Sequence, residues 1–286
     1  MEKINGIEYS KPKVYLLQHT GLGVPEIAAR TCYDSFDASE NQAVKNFNHC
    51  VEHDFVEEDD VNTLNSIEHS ELLDTLAWTH FHHSILEHAN LSFLIKGTSR
   101  GVLQEHARHR IQAISVRSTR YTMSSIINAY IASKYHYGKG LTFFIDKLLE
   151  MDMFVTTDKE YQKTEIAGIF DKLVYQNNIL GEEEFNKLAV AKSSLEFLDG
   201  NVSAEDLFEK LQNGKKKRNV GDAFKHIVSD NWKVDMMVTF NLRSLKNYFS
   251  LRDSGAAFFQ IQWLAKEMKK VTPQKYLDLI VKNKDK

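Results

Sequence analysis

Apolar spacing first becomes informative at Lys13–Gly21 (KVYLLQHTG), a run of strand length that predicts a short β-strand. The polar, acidic stretch Val56–Asp60 reads as a loop. His88–Ile95 alternates loosely, LSFLI has the aromatic and β-branched character of a strand, and Lys96–Gly97 is expected to end it. Thr98 or Ser99 is then placed to cap a helix from Arg100 to Gln112, with Val102, Leu103, Ala107 and Ile111 on one face. Residues 140–212 read as several polar helices without a chemical motif, expected to be scaffold or insertion. The charge block GKKKRNVGD, between Asn213 and Asp222, reads as a solvated loop. Helical patterning returns over Val234–Leu251, breaks at a turn at Asp253–Gly255 and resumes over Ala256–Val271, ended by Pro273. In that last helix Ile261, Trp263, Leu264 and Met268 form the buried stripe. No repeat and no Pro-rich or Ser-rich linker divides the sequence. A single domain over 1–286, with a helical insertion or expansion around 126–220, is the expectation.

Composition supports a largely helical body, because 3 Pro and 13 Gly in 286 residues fall well below the roughly 12% of average usage. The chain is long enough to bury a sizeable core without disulfides. Thirty-six Lys and Arg against 39 Asp and Glu leave a formal charge of -3, which argues against a surface built as a glove for nucleic acid. Only Cys32 and Cys50 occur, and the N-terminal stretch carries no apolar run of signal type, so a reducing cytoplasm is expected. No apolar run approaches the roughly 20 residues of a membrane helix; no membrane association is expected.

The average hides an imbalance. Six of the 12 His lie between His80 and His109, and five of the nine Arg between Arg100 and Arg120. The window 99–121 holds five Arg and one Glu, a local charge of +4. Guanidinium forks match phosphate and carboxylate geometry and stay charged when partly desolvated, so the cluster implies an anionic ligand. On the expected helix Arg108 and Arg110 diverge by about 200°, which suits two ligands or two subunits better than one. Ser115, Ser118, Thr119 and Arg120 add hydroxyls and loop amides of the kind found around phosphates. The alternative is an exposed basic helix making ion pairs.

Other chemistries find less support. His80, His82, His83 and His88 suggest zinc, but no HExxH, CxxC pair or suitably spaced carboxylate accompanies them, and His49 and His53 around Cys50 are equally bare; no metal is expected. Ser118 beside Arg120, or Cys50 near His53, lies in no nucleophile elbow or papain-like setting. Gly21-Leu22-Gly23 is followed by Val24-Pro25-Glu26, so neither glycine-rich phosphate fingerprint is present.

Arg108-His109-Arg110, seven residues and then Ser118 resembles the RHR-x7-S signature of flavin-dependent thymidylate synthases, here continued as Ser118-Thr119-Arg120-Tyr121. Two further blocks agree in order and spacing. His82-His83-Ser84-Ile85-Leu86-Glu87-His88 is similar to the family's H-x-T/S-x-x-E-H segment, and Asn241-x-Arg243-Ser244-Leu245-x-Asn247-x4-Arg252 to its later block. The likeness covers about residues 80–125 and 223–272, with a weaker echo at Ile27–Phe36.

The resemblance implies an α+β fold, an antiparallel sheet flanked by helices, assembled as a homotetramer with shared sites. It implies reductive methylation of dUMP to dTMP, with methylenetetrahydrofolate as carbon donor and NADPH-reduced FAD as hydride source. The Pro-Cys nucleophile of the other thymidylate synthase family is absent, since Cys32 follows Thr31 and Cys50 follows His49. Carried over by position, Arg108, His109 and Arg110 contact flavin and nucleotide. Ser118 and Arg120, with the backbone from Val116 through Arg117, hold the dUMP phosphate. Ser84, Asn241, Arg243 and Asn247 match FAD contacts; Arg252 matches the arginine on the uracil ring, and His82 a histidine of methylene transfer. Three positions depart from the pattern. Val116 stands where the family often has Glu or Gln. Glu105, beside Gln104, stands where Gln is common, and a carboxylate there can still accept from a ribose hydroxyl. Lys225 replaces a phosphate-binding Arg, keeping charge but losing the fork. The reading from a different class is a non-catalytic helical protein using Arg100–Arg120 on RNA or another polyanion; a third is a His-ligated metal hydrolase.

Overall fold

The computed structural model describes residues 2–281. Strands β1 (Glu2–Ile4) and β2 (Ile7–Tyr9) form an antiparallel hairpin. Its turn residues Asn5 and Gly6 both have positive φ, 51° and 85°, the conformation in which an Asn-Gly pair matches strand twist. After β3 (Lys13–His19) come helices α1 (Gly23–Tyr33), α2 (Gln42–Glu52), α3 (Glu58–Asn65) and α4 (Glu71–Trp78). A 3-10 turn (His83–His88) leads into β4 (Asn90–Ser99), α5 (Arg100–His106) and β5 (Ala113–Val116). Six helices follow: α6 (Thr119–Ser133), α7 (Gly140–Glu150), α8 (Lys159–Leu180), α9 (Glu182–Ala189), α10 (Ala204–Asn213) and α11 (Val220–Phe224). The chain ends its described course with β6 (Lys233–Asn241), α12 (Leu242–Arg252), α13 (Phe259–Val271) and α14 (Gln274–Ile280).

Two compact units result, each with its own core. The sheet unit comprises residues 11–116 and 234–281. Its four strands lie in the order β3-β4-β6-β5, with β3 antiparallel to β4 (Lys13 opposite Lys96) and β5 antiparallel to β6 (Ala113 opposite Thr239). Leu91, Phe93 and Ile95 of β4 and Met236, Val238 and Phe240 of β6 point into the core. The helical unit comprises residues 2–10 and 117–233 and contains the whole of 126–220. Helix α6 is its centre: nearly every residue from Met123 to Ser133 is buried, and Tyr130 packs against Phe144, Phe170 and Phe185. Ile261, Trp263, Leu264 and Met268 are buried on α13 as the stripe predicts.

The structure corrects three expected elements. The acidic run taken for a loop at Val56–Asp60 opens α3, where Glu58, Asp59 and Asp60 sit at the positive end of the helix dipole and Asp60 Oδ2 accepts from Glu57 N at 2.9 Å. The stretch expected to be one helix over Val234–Leu251 is strand β6 followed by helix α12. Val234, Met236, Val238 and Phe240 alternate with partly exposed residues at a two-residue period, and Asn241 caps the helix by accepting from Ser244 N at 2.8 Å. The helix expected to reach Gln112 ends at His106.

Candidate active site

The early end of α5 shapes the site. Ser99 starts the helix, its Oγ accepting from Val102 N at 3.1 Å. Gln112 stops it from the other side. Its Nε2 donates to the carbonyls of His106 (3.1 Å) and His109 (2.8 Å), and its Oε1 accepts from His106 Nε2 at 2.9 Å. These bonds satisfy carbonyls that a longer helix would have used. Arg108 and Arg110 therefore sit on an irregular segment between α5 and β5, and the 200° divergence argued from a helix does not apply. Ile111, expected on the helix's apolar face, is 70% exposed.

Helix α12 brings a second set of residues to this segment. Arg252, in its last turn, donates from Nε to His109 Nε2 at 2.9 Å, from Nη1 to Glu105 Oε2 at 2.8 Å, and from Nη2 to the Glu105 carbonyl at 3.1 Å. Because His109 Nε2 accepts, its proton is on Nδ1. Partial burial, together with the Arg252 and Arg108 charges, lowers the His109 pKa to about 4. His106 is fully buried, and burial lowers its pKa to about 4 as well. Its Nε2 donates to Gln112, so its Nδ1 accepts from Tyr248 Oη at 3.2 Å. Burial pushes the Tyr248 phenol well up, which keeps it a donor. The Tyr248 ring meets both imidazoles edge-on, 5.1 Å from His106 and 4.8 Å from His109. The outcome is a guanidinium fixed by Glu105 and by one neutral histidine, His109, with a second neutral histidine, His106, buried behind Tyr248.

A cavity of about 1350 Å³ opens beside this group. Arg108, Arg110, Arg243, Lys246 and Arg252 line it, against one carboxylate among the described residues, Glu87, which pairs with Arg243 at 2.6 Å. Pockets for drug-sized ligands are typically about 300–1,000 Å³, so this one has room for a larger, anionic molecule. Asn247, four residues after Arg243, shares its lining.

Some expected site residues stand elsewhere. His82 and Ser84 do not line the cavity; His82 Nδ1 is 3.1 Å from Tyr33 Oη, just after Phe81, whose φ of 56° turns the chain. Asn241 spends its side chain on the α12 cap. Glu105 is engaged by Arg252, with Arg108 Nη1 at 3.7 Å, and Gln104 lies beside it on α5. In the helical unit Arg117, Ser118, Arg120 and Lys225 are exposed. Ser118 caps α6, its Oγ accepting from Arg120 N at 3.3 Å, and Arg120 forms a two-pronged pair with Asp222, the shortest contact 2.9 Å. Gly221 lies against Arg120: a Cβ there would meet Arg120 Cα at 2.7 Å.

Sequence reasoning missed Tyr248, Gln112 and Glu87 as parts of the site. Tyr248 lies four residues before Arg252, a spacing that puts them on one helix face, and Glu87 falls inside the quoted His82–His88 block; nothing local marks Gln112. Among the described residues no three His, Cys, Asp or Glu gather as a metal site, and no helix is long and apolar enough to cross a membrane.

Comparison with known proteins agrees with this geometry. The family model described as "Thymidylate synthase complementing protein" matches residues 15–275. The chain is 28% identical over 264 residues to the flavin-dependent thymidylate synthase of Campylobacter jejuni (strain RM1221), covering 92% of this chain and 93% of that one. Its identity to the enzyme of the same name from Wolinella succinogenes is 28% over 272 residues, 95% and 98% of the two chains. In fold it is similar to the flavin-dependent thymidylate synthase of Helicobacter pylori solved with FAD and dUMP, with a TM-score of 0.57, 24% identity, and 94% and 98% coverage. With a family match that runs from the first strand of the sheet unit into its last helix, the chain belongs to the thymidylate synthase complementing protein family, that of the flavin-dependent thymidylate synthases.

Proposed function

We propose that this chain converts dUMP to dTMP, taking a methylene group from methylenetetrahydrofolate and reducing equivalents from NADPH through FAD. The observation that carries the reading is the fixed Arg252 guanidinium at the wall of a cavity where cations outnumber carboxylates. A flavin dinucleotide fits this cavity by charge and by size. When bound, FAD supplies the hydride chemistry.

The protein's own residues bind and orient. Arg252 holds the uracil ring and favours its N3-ionised form, a fixed cation facing developing negative charge. His109 stays neutral beside it, and with Arg108 and Arg110 contacts flavin and nucleotide. Arg243, Asn247, Asn241 and Ser84 hold the flavin, and His82 serves methylene transfer. Ser118, Arg120 and Lys225 take the dUMP phosphate, with Gln104, Glu105 and the backbone at Arg117 supporting the nucleotide. The chain works as a single flavin-dependent thymidylate synthase domain over 1–286, in a cytoplasmic homotetramer with shared sites. The polyanion-binding alternative loses its basis on α5, since Arg108 and Arg110 line a cavity with Arg252 instead of an open helix face.

Purified protein loaded with FAD should oxidise NADPH and form dTMP from dUMP and methylenetetrahydrofolate. A flavin-loaded protein that oxidises NADPH but forms no dTMP under any order of addition overturns the reading.

A further inference from the structure

Among the described residues two cavity-lining cations, the exposed Arg110 and Lys246, have no carboxylate within pairing distance, and of the two only Lys246 is partly buried. Arg243 has Glu87, Arg252 has Glu105, and Arg108 lies 3.7 Å from Glu105. Lys246 instead stands over the Trp78 indole, Nζ 3.9 Å from the ring centroid, and 3.1 Å from His83 Nε2. That nitrogen is also 3.0 Å from the Ala77 carbonyl. One ring nitrogen cannot donate to the carbonyl and accept from the ammonium at once, so at most one of the three Nζ donors finds an acceptor there. Burial lowers the Lys246 pKa, a cost that an indole face only partly offsets. The indole is itself anchored, Trp78 Nε1 donating to the Asp278 carbonyl at 2.7 Å. On α12, Arg243, Lys246, Asn247 and Ser250 fall at steps of three and four and all line the cavity. The ammonium is thus held in place, unsatisfied, within a polar stripe that faces the ligand space.

We propose that Lys246, seated on Trp78, binds the pyrophosphate of a dinucleotide in this cavity. The inference rests on the flavin reading above, and a pyrophosphate is carried by both FAD and NADPH. The test measures the FAD Kd of full-length, flavin-stripped protein and the NADPH KM of the reloaded enzyme, for wild type, Lys246→Met and Lys246→Arg, at several salt concentrations. Lys246→Met is expected to raise the FAD Kd about tenfold and to flatten its salt dependence, the loss of one charge-assisted contact. Lys246→Arg, which keeps the cation, should stay within a few-fold of wild type. A rise confined to the NADPH KM sustains the site and assigns the pyrophosphate to the reductant. Unchanged values in Lys246→Met, or equal losses in both variants, overturn the proposal. Wild-type protein that fails to bind FAD instead sinks the functional reading; ADP, titrated into wild type and Lys246→Met, then judges the lysine on its own, and equal ADP affinities overturn it.

Discussion

Arg252 Nε and His109 Nε2 lie 2.9 Å apart, so the guanidinium sets which imidazole nitrogen carries the proton while Glu105 sets where the guanidinium lies. Removing the arginine then does three things: it takes away the cation proposed to face the uracil, leaves the Glu105 carboxylate without its 2.8 Å partner, and lifts one cause of the low His109 pKa. Arg252→Ala is expected to lower dTMP formation by about 10²–10³-fold, the scale of losing one electrostatic stabiliser, while FAD affinity changes little. Arg252→Lys should rescue poorly, because one ammonium cannot reproduce the fork. Single-turnover dTMP formation, measured beside a flavin-binding titration, checks both; normal turnover in Arg252→Ala removes it from the chemistry.

Acid should destabilise the fold through its buried imidazoles. His106 and His109 titrate near 4 when folded against an ordinary 6.5, so between those values the unfolded chain binds protons that the folded chain does not. Their stabilising contribution is complete above about pH 6.5 and is lost as pH falls toward 4. For fully buried His106 the slope approaches ~1.4 kcal/mol per pH unit; half-exposed His109 contributes less, because solvent screens it. Urea midpoints from pH 7.5 to 4.5 should fall accordingly, and His106→Gln should flatten the dependence even though its absolute stability is lower.

Ser118 carries two expected roles that a pair of substitutions separates. Ser118→Ala should cost about 0.5–1 kcal/mol of stability as a lost helix cap and raise the KM for dUMP, with turnover surviving at saturating dUMP. Ser118→Asp should restore the cap yet bind dUMP worse still, since a carboxylate repels phosphate. Thermal melts and dUMP titrations read the two roles independently; Ser118→Ala that abolishes chemistry at unchanged dUMP affinity would make the serine a nucleophile.

Gly221 predicts a dependence of the residues proposed to hold the dUMP phosphate on backbone approach. A methyl group there meets the Arg120 backbone at 2.7 Å, and backbone cannot rotate away. Gly221→Ala should destabilise by about 1–3 kcal/mol and weaken dUMP binding, whereas Asp222→Ala, which breaks only an exposed pair, should cost under about 1 kcal/mol. Comparing the melting temperatures and dUMP affinities of the two variants checks this; the reverse order contradicts it.

The fold and the site were legible in the sequence to different depths. Strands β3 and β4, the Ser99 cap and the α13 stripe follow from local pattern, because each side chain there packs according to its own spacing. Strand β6 escaped, since VDMMVTF fits either period when followed by a true helix, and only pairing with β5 and its place beside β4 decide between them. The identity of the site residues came from motif likeness; what came from no local signal is how they are held. Tyr248, Gln112 and Glu87 act on partners whose nearness depends on α5, α12 and the turn before β4 meeting in space.

Gln112 has one further consequence. Helices that stop at glycine or proline carry the stop in their backbone, and moving it requires a change of conformational class. Here an amide side chain carries it, outside the cavity lining. Substituting Gln112 is therefore expected to re-aim Arg108 and Arg110 without altering either one, a change of cavity geometry made through a residue that does not line the cavity.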